Sequence, residues 1–233
     1  DPNLNWRYET EKGAEIGNRP MYWPRGKVLG GSSSINGLLY IRGQARDYDH
    51  WRQLGNEGWS YDDVLPYFRK AESQENGADE FHGDGGPLRV SNLRERNPLC
   101  QAFIESAVDA GIPRNDDFNG VSQEGVGFYQ ITTRNARRCS AAVAYLKPAM
   151  KRPNLRVITR AHSERILFNG KRAIGVVFDR GGRKVAVRAR REVIVSSGSI
   201  NSPKLLLLSG VGPAGQLSGL GIPVVHDLPG VGE

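Results

Sequence analysis

The sequence predicts an α/β fold with α+β features, and three observations support that prediction. Residues 193–195 form a short β-branched run, typical of a strand buried on both faces, and a helical pattern follows at residues 202–208. Several strand patterns separated by tight turns precede that run between residues 155 and 189. Glycine contributes 29 of the 233 residues, a share typical of a loop-rich ligand-binding fold and not of a helical bundle.

Capping residues predict where the helices begin. Ser60 and Asp63 have the spacing of a capping box, and Asn97 is followed by Pro98, which suits the first helical position. The predicted helices are one over residues 46–54, one that begins at Ser60, one from Asn97 to a stop at Gly111, and one from Ser140 to about Met150.

Alternating and β-branched patterns predict the strands. The dipeptides Asn169-Gly170 and Gly181-Gly182 mark tight turns between them. The predicted strands cover residues 125–133, 155–159, 163–168, 173–179, 184–189 and 193–195.

Two further segments are predicted to lack regular structure. Residues 74–86 are polar and rich in glycine, which predicts a loop. Residues 1–24 are expected to be extended and rich in turns, with four aromatic side chains as buried anchors: Trp6, Tyr8, Tyr22 and Trp23.

The pattern after residue 195 predicts a strand, a turn of small residues and a helix. Ser202 is a suitable N-cap with Pro203 at the first helical position, and Gly210 and Gly212 then end the helix. Such an arrangement presents free N–H groups and the positive end of the helix dipole to a ligand.

Residues 24–37 have the composition of a ligand-binding loop. Gly30 and Gly31 let backbone N–H groups approach a flat or anionic ligand closely, and residues 32–34 add serine hydroxyls. Asn36 supplies a donor and an acceptor. A tight glycine turn at the end of a strand is the alternative. Positive charge comes from Arg25 and Lys27, and the apolar residues expected to be buried are Val28, Leu29, Ile35, Leu38 and Leu39.

The two segments together resemble the glucose–methanol–choline (GMC) family of flavin-dependent oxidoreductases. One family pattern matches residues 26–36 and continues through Tyr40, Gly43 and Asp49, and the other matches residues 198–212. The resemblance covers essentially the whole chain. It implies segments of a doubly wound FAD-binding domain at residues 1–75 and 155–233, and a segment of a substrate domain built on an antiparallel sheet at residues 76–154.

The resemblance implies oxidation of an alcohol CH–OH group to an aldehyde by hydride transfer to flavin N5. No part of the chain matches the family's GxGxxG unit or its C-terminal segment with a catalytic His, so we expect an incomplete fold, an interior fragment and no catalytic residue in this chain. Two alternatives stay open. One is a hydroxynitrile lyase with non-redox FAD, and the other is a stand-alone FAD-binding fragment without activity.

The family's motifs imply where FAD would be held. Ser163 would contact the adenine through its backbone. Some relatives attach FAD covalently through a His at the position of Ile35, so non-covalent FAD is expected here. The implied cofactor-binding residues are Arg25, Val28, Leu29, Gly30, Gly31, Ser32, Asn36, Gly37, Leu38, Leu39, Ser163, Ser197 and Gly198.

Other positions have an implied role beside a structural alternative. The segment around His82 corresponds to the mouth of the substrate channel, although an exposed loop His is equally compatible. Phe128, Tyr129 and Gln130 would line the substrate pocket, or form a core aromatic pair with a polar neighbour. Ala136 stands where the family usually has Gly, and a positive φ there would cost Ala about 1 kcal/mol.

Composition narrows the expected partners. The net charge is +7 and the isoelectric point about 9.6, but the basic residues are scattered with few aromatics between them, which argues against nucleic-acid binding. No apolar run approaches the roughly 18 residues of a membrane span. Cys100 and Cys139 are too few for a disulfide framework and lack metal-ligand spacing, so no metal is expected.

The expected partners are a small-molecule alcohol and an electron acceptor that could be a quinone, a dye or O2. Residues 127–130, 138–142 and 144–146 are most similar to those of bacterial alcohol dehydrogenases and choline-dehydrogenase-like members of the family that use a non-oxygen acceptor. The expected location is cytoplasmic, with membrane association of the full-length protein left open.

Overall fold

The structure is a computed structural model that describes residues 1–233. The chain divides into two compact units, Asp1–Leu155 and Arg156–Glu233. The division into segments at residues 1–75, 76–154 and 155–233 stays a prediction, because it concerns membership in the domains of a complete family fold and not the compactness of this chain.

The capping signals of the first unit are confirmed. Ser60 and Asp63 exchange hydrogen bonds, since the Ser60 Oγ accepts from the Asp63 N–H at 3.3 Å and the Asp63 carboxylate accepts from the Ser60 N–H at 3.1 Å. The side-chain Oδ1 of Asn97 accepts from the Leu99 N–H at 2.9 Å. The helices that result are α1 (Ala45–Gln53), α2 (Tyr61–Ala71) and α3 (Pro98–Asp109).

The helix predicted to follow Ser140 is irregular. Ala142–Leu146 forms a π-helical turn, and α4 (Lys147–Ala149) continues it for less than one turn. Ser140 begins the segment as predicted, because its carbonyl accepts from the N–H of Ala144 at 2.8 Å. Pro148 has no N–H to donate to the carbonyl of Ala144, which interrupts the regular helical hydrogen bonds at this point.

The strands of the first unit are short and lie in separate pairs. Residues 125–133 do not form the predicted strand. They run extended with isolated bridges, and Ile131 bridges to both Leu39 and Ser91. The pairs are β1 (Tyr8–Glu9) antiparallel to β2 (Tyr22–Trp23), β3 (Glu72–Gln74) parallel to β4 (Leu88–Val90), and β5 (Thr133–Arg134) antiparallel to β6 (Arg137–Arg138).

Two of the expected aromatic anchors near the start of the chain are not buried. Tyr22 is 56% exposed and Trp23 is 48% exposed, so the expectation for these two is wrong. They lie on a sheet of only two strands, which buries a face only where another element packs on it. Trp6 and Tyr8 are half-buried and stack with their ring centroids 6.1 Å apart.

The second unit contains an antiparallel sheet in which neighbouring strands follow each other along the chain. The turn between its second and third strands has Gly181 at φ 64° and Gly182 at φ 81°, values that favour glycine. The strands are β7 (His162–Asn169), β8 (Arg172–Arg180) and β9 (Arg183–Arg188), which confirms three predicted strands to within about two residues.

The strands predicted at residues 155–159 and 193–195 are wrong for this chain. Neither segment has regular secondary structure, and neither forms a ladder with another strand. Ile194 is 77% exposed. A β-branched run becomes a strand only where a neighbouring strand accepts its backbone hydrogen bonds, and local sequence carries no information about that neighbour.

The long helix of the second unit begins earlier than predicted. It is α5 (Gly198–Leu208), so Ser202 is not its N-cap and Pro203 lies inside it. The Ser202 Oγ accepts a hydrogen bond from the Ser197 N–H at 3.0 Å, which folds the serine back over the first turn. After α5 come β10 (Val211–Gly212), α6 (Ala214–Gly219) and β11 (His226–Asp227), with β10 and β11 parallel.

Each unit has its own buried apolar residues. Cys139 is among them and packs as a small side chain in the first unit. The buried apolar residues are Val90, Ile104, Cys139, Ala142 and Ala144 in the first unit, and Ile166, Val177, Phe178, Leu205, Val211 and Leu217 in the second. None of the helices combines the length and the apolar character that crossing a bilayer requires.

Candidate functional site

Residues 26–39, here called the glycine–serine loop, are held by their own serine hydroxyls. Gly31–Ser34 forms a 3-10 turn that Gly30 enters with φ 88°. The Ser33 Oγ donates to the Gly30 carbonyl at 2.5 Å and accepts from the Ala141 N–H at 2.9 Å. The Ser34 Oγ donates to the Leu29 carbonyl at 2.9 Å. Small hydroxyls therefore satisfy the loop backbone on its protein side.

The glycines distinguish a closed side of the loop from an open side. A Cβ at Gly26 would overlap the carbonyl of Gly31, and a Cβ at Gly30 would lie 2.5 Å from the Ser34 Oγ and 3.1 Å from the backbone of Ala142. Gly31 and Gly37 have no atom within 4 Å of the position that a Cβ would take. The open side of the loop therefore has free space in which a flat group could approach the backbone.

Two polar side chains, Asn36 and Arg138, add further hydrogen bonds to the loop. The Asn36 side chain is held by its amide oxygen Oδ1, which accepts from Arg138 Nη1 at 2.6 Å and from the Leu38 N–H at 3.1 Å. This orientation leaves the Asn36 amide nitrogen as a donor for a ligand. Arg138 also donates to the Ser33 carbonyl at 3.2 Å, a contribution that the sequence analysis missed.

The two cations expected to supply positive charge lie over aromatic rings. The Lys27 ammonium is 4.8 Å from the centroid of the Trp6 ring, and the Arg25 guanidinium is 5.4 Å from that of the Trp23 ring. Arg25 Nη1 also donates to the Pro24 carbonyl at 2.8 Å. Both charges are thereby fixed beside the loop.

The apolar residues of the loop are more exposed than expected. Val28, Leu29, Ile35 and Leu39 are exposed and Leu38 is half-buried, so the expectation of burial is wrong. The serine hydroxyls and glycine backbone occupy the protein side of the loop, which turns these side chains outward.

The end of the loop is joined to the segment at residues 130–132. The Tyr40 N–H donates to the Gln130 carbonyl at 2.9 Å, and the Thr132 N–H donates to the Leu38 carbonyl at 2.9 Å. The Thr132 hydroxyl reaches the same Leu38 carbonyl at 3.2 Å. The loop exit therefore moves only if residues 130–132 move with it.

The candidate pocket residues lie around one cavity but differ in environment. The cavity has a volume of about 250 Å³. Phe128 packs against the Arg96 guanidinium, 5.0 Å from its ring centroid, and Tyr129 packs on Phe118 with centroids 4.9 Å apart. Gln130 is buried, and its side chain is bound to other amides. A substrate-lining role for Phe128, Tyr129 and Gln130 stays a prediction, and the hydrogen bonds of Gln130 hold its side chain in place within the lining.

The second unit contains the remaining candidate residues. Ser163 lies near the start of β7, opposite Phe178, where the register shifts immediately after it. Ser197 and Gly198 form the beginning of α5. Gly198 has φ 87° and open space where a Cβ would lie, so the first N–H groups of this helix can be approached by an anionic group.

A buried group of charges, here called the charge network, lies beneath the loop exit and consists of Arg42, Glu72, His82 and Asp117. Glu72 is fully buried and forms an ion pair with Arg42 Nη2. His82 Nδ1 lies 3.0 Å from Glu72 Oε2, and His82 Nε2 lies 2.9 Å from Asp117 Oδ2. Both imidazole nitrogens therefore contact a carboxylate oxygen, which requires the doubly protonated imidazolium.

His82 is not in the exposed position expected from the sequence, and its contacts shift the pKa values of His82 and Asp117. His82 is only 2% exposed, so it is neither a loop side chain in solvent nor an open channel entrance. Hydrogen bonds to Asp117 and then to Glu72 outweigh burial and raise the pKa of His82 to about 9. Burial favours a higher pKa for Asp117, but the hydrogen bond from His82 and the Asn119 N–H hold that pKa below its ordinary value.

Sequence patterns could not have revealed the charge network. Arg42 and Glu72 are 30 positions apart, and His82 and Asp117 are 35 positions apart. Neither pair follows a helical or strand period, and His82 lies in a segment whose composition predicts a loop.

The comparison with known proteins decides the family. The sequence model of the GMC oxidoreductases matches residues 11–233. The chain belongs to this family. The predicted fold class is confirmed, because the chain also superposes on solved oxidoreductases of mixed helix and strand structure.

Three similar proteins illustrate the match. The oxygen-dependent choline dehydrogenase of Brucella anthropi is 52% identical over 229 residues, which are 98% of this chain and 42% of that protein. A pyridoxine 4-oxidase from Mesorbium loti superposes with a TM-score of 0.90 at 33% identity, over 97% of this chain and 45% of the other. An FAD-dependent oxidoreductase from Chaetomium thermophilum superposes with a TM-score of 0.90 at 32% identity, over 97% of this chain and 42% of the other. The chain thus spans less than half the length of these relatives.

Proposed function

We propose that the full-length protein containing this chain is an FAD-dependent oxidoreductase that oxidises a CH–OH group of a small alcohol. The observation that carries the proposal is the glycine–serine loop, whose closed side excludes a Cβ and whose open side accepts a flat group. Membership in the GMC oxidoreductases supports FAD as that group. The bound flavin would supply N5 as the acceptor of the hydride from the alcohol carbon.

In this proposal the loop binds and orients the ring system. Gly31 and Ser32 bring backbone and hydroxyl groups to the cofactor on the open side, and the Asn36 amide nitrogen donates to the ring edge. Arg138 fixes that donor, since it holds the Asn36 carbonyl oxygen. The exposed Val28 and Leu39 would cover apolar parts of the cofactor and exclude water from it.

The second unit would bind the rest of FAD. The N-terminus of α5 at Gly198 would bind the pyrophosphate, because free N–H groups and the helix dipole favour negative charge there. The backbone near Ser163 would contact the adenine. A test is Gly198→Leu in the full-length protein, which fills the open space and should lower FAD affinity about tenfold or more. Gly170→Leu is the control, because Gly170 also has a positive φ and open space but lies in the turn between β7 and β8.

The substrate is proposed to be choline or a chemically similar alcohol, because the Brucella anthropi relative is named a choline dehydrogenase. The electron acceptor is proposed to be O2, a quinone or an artificial dye. We assign no catalytic base to this chain. His82 donates both of its nitrogens to carboxylates inside the protein, and none of the other three histidines lies in the loop or beside the cavity.

The activity is tested by adding a panel of alcohols to the full-length protein without oxygen. Bleaching of the flavin absorbance by choline or another alcohol is expected, and re-oxidation by O2, a quinone or a dye identifies the acceptor. No bleaching by any alcohol would contradict the proposal, and cleavage of a cyanohydrin without bleaching would instead establish a hydroxynitrile lyase. Residues 1–233 purified alone should contain no stoichiometric FAD, and a yellow fragment would support the stand-alone binding alternative.

We further propose that FAD is held without a covalent bond at this loop. Ile35 has no nucleophilic atom, and it projects from the loop at the position where some relatives have a His. Acid precipitation of the full-length holoprotein should release all the flavin into the supernatant. Flavin that stays with the denatured chain would contradict this proposal, and Ile35→His offers a matched variant in which retention could appear.

The two cysteines support a location in a reducing compartment, which we propose to be the cytoplasm. Cys139 is buried and Cys100 is exposed, and both are free thiols. Fractionation of cells that produce the full-length protein would test this proposal, and recovery with the membranes would show the association left open above.

A further inference from the structure

The charge network has no direct part in the proposed chemistry, yet it is connected to the glycine–serine loop through two routes. The first route runs through Arg42, which lies three residues after Leu39. The Arg42 side chain binds Glu72, donates to the Phe81 carbonyl at 2.8 Å and lies over the rings of Tyr40 and Phe68 at 5.7 Å and 5.1 Å. The chain that leaves the loop is therefore held directly by the network.

The second route runs through buried amide side chains. Gln74 Nε2 donates to Glu72 Oε1 at 3.1 Å and to Gln130 Oε1 at 3.0 Å. Gln130 Nε2 in turn donates to Gln74 Oε1 at 3.1 Å and to Asn92 Oδ1 at 3.1 Å. The backbone of Gln130 accepts the Tyr40 N–H, so Glu72 is connected to the loop exit from this side as well.

The charges of the network balance only when His82 is protonated. Arg42 and the His82 imidazolium then compensate Glu72 and Asp117. A neutral imidazole has one N–H and could donate to only one of the two carboxylates, so its other nitrogen would present a lone pair to an oxygen about 3 Å away. Loss of this proton would therefore disturb Glu72, to which both routes are connected.

We propose that protonated His82 is a positioning residue for the bound flavin, because it holds Glu72 and thereby fixes the exit of the glycine–serine loop. This inference rests on the proposed function, in that it assumes FAD on the open side of the loop. His82 does not touch the cofactor. It acts through Glu72, Arg42 and Gln130.

Other groups around His82 determine the pH at which it loses its proton. Asp117 and Glu72 favour the charged form, and the half-exposed Asp117 is the carboxylate in contact with solvent. Arg42 interacts electrostatically with Asp117, and Tyr61 interacts electrostatically with both of them. The pKa of His82 of about 9 places the transition above neutral pH.

The test uses the full-length holoprotein and measures the Kd for FAD and the visible flavin spectrum against pH. In the wild type, the Kd should be constant near neutral pH and rise about tenfold or more above about pH 9, as His82 loses its proton. His82→Gln should have a raised Kd and an altered spectrum already at neutral pH, with no further rise. His50→Gln is the control, because His50 is exposed on α1 and should keep the wild-type profile.

Two outcomes would overturn the inference. One is wild-type Kd, spectrum and pH profile in a folded His82→Gln variant, because a residue that only stabilises the fold would change thermal stability and leave these readouts alone. If His82→Gln does not fold, Asp117→Asn decides. Removing this carboxylate should shift the rise in Kd to lower pH, and an unshifted profile would overturn the inference. A wild-type protein that binds no FAD would instead contradict the proposed function.

Discussion

The glycine–serine loop and the charge network lie in the same unit of the chain but are stabilised by opposite means. The loop relies on small residues and local hydrogen bonds, such as those of Ser33 and Ser34 to carbonyls a few residues away, and its apolar side chains are exposed. The network relies on full charges brought together from distant positions, and three of its four members, Arg42, Glu72 and His82, are buried. A binding surface that must stay open is thus supported by a part of the fold that cannot easily rearrange.

Removing a charge from the network should cause the largest loss of stability among the substitutions that separate the two regions. Glu72→Gln leaves Arg42 without its partner in the interior, and breaking a buried ion pair costs about 3–5 kcal/mol. Urea denaturation of the full-length apoprotein, followed by tryptophan fluorescence, measures the loss. Glu57→Gln is the control on an exposed carboxylate and should change stability by less than about 0.5 kcal/mol. Equal effects of the two substitutions would show that the network contributes nothing special.

A Cβ on the closed side of the loop should have the next largest effect. Gly30→Ala introduces strain at φ 88° and contacts with Ser34 and Ala142, for a predicted loss of about 2–3 kcal/mol together with weaker FAD binding. Gly55→Ala has a similar φ of 97° and open space, so it isolates the backbone strain. If both variants lose the same stability and retain the same FAD affinity, the closed side of the loop has no steric role.

Stability should also depend on pH through His82. Its pKa of about 9 in the folded state lies above the ordinary 6.5, so the stabilisation is complete below about pH 6.5 and is lost as pH rises through about 9. The difference between these two pKa values corresponds to about 3 kcal/mol in the free energy of unfolding. Denaturation curves across this pH range measure it. His82→Gln should flatten this part of the dependence, and a slope that persists in the variant would assign it to other groups.

The smallest expected effect lies in the turn between β5 and β6, outside both regions. Ala136 has φ 57° and follows Asn135 at φ 50°, so the positive φ considered from the sequence is present. Ala136→Gly should stabilise the protein by about 1 kcal/mol, and Gly182→Ala, in the turn between β8 and β9, should destabilise it by a similar amount. Denaturation midpoints with the same sign for both substitutions would contradict the argument.

The local parts of the fold were mostly predictable, and the two failures have different physical causes. The caps at Ser60 and Asn97 and the turn at Gly181-Gly182 were predicted correctly, because each depends on hydrogen bonds or dihedral angles within a few residues. The strand at residues 193–195 and the start of α5 were not. The first depends on a partner strand, and the second on a hydrogen bond by which Ser202 adds a turn to the helix.

The candidate site divides in the same way. The glycine–serine loop was identified from the sequence as a candidate for ligand binding, because close backbone approach requires glycine and small polar residues at adjacent positions. Arg138, which holds Asn36 from 102 positions away, was not. Gln130 was predicted as a pocket residue, and only the tertiary structure shows that it lines the cavity while its side chain is bonded to Gln74 and Asn92.

The sequence by itself determined the family, and it predicted the class of cofactor and the loop that would hold it, because these follow from residues next to one another in the chain. Only the tertiary structure decided that His82 is buried between two carboxylates and that the apolar side chains of the loop face outward. The physical reason is that charge pairing brings together residues 10, 30 and 35 positions apart, and these separations leave no periodic trace in the sequence.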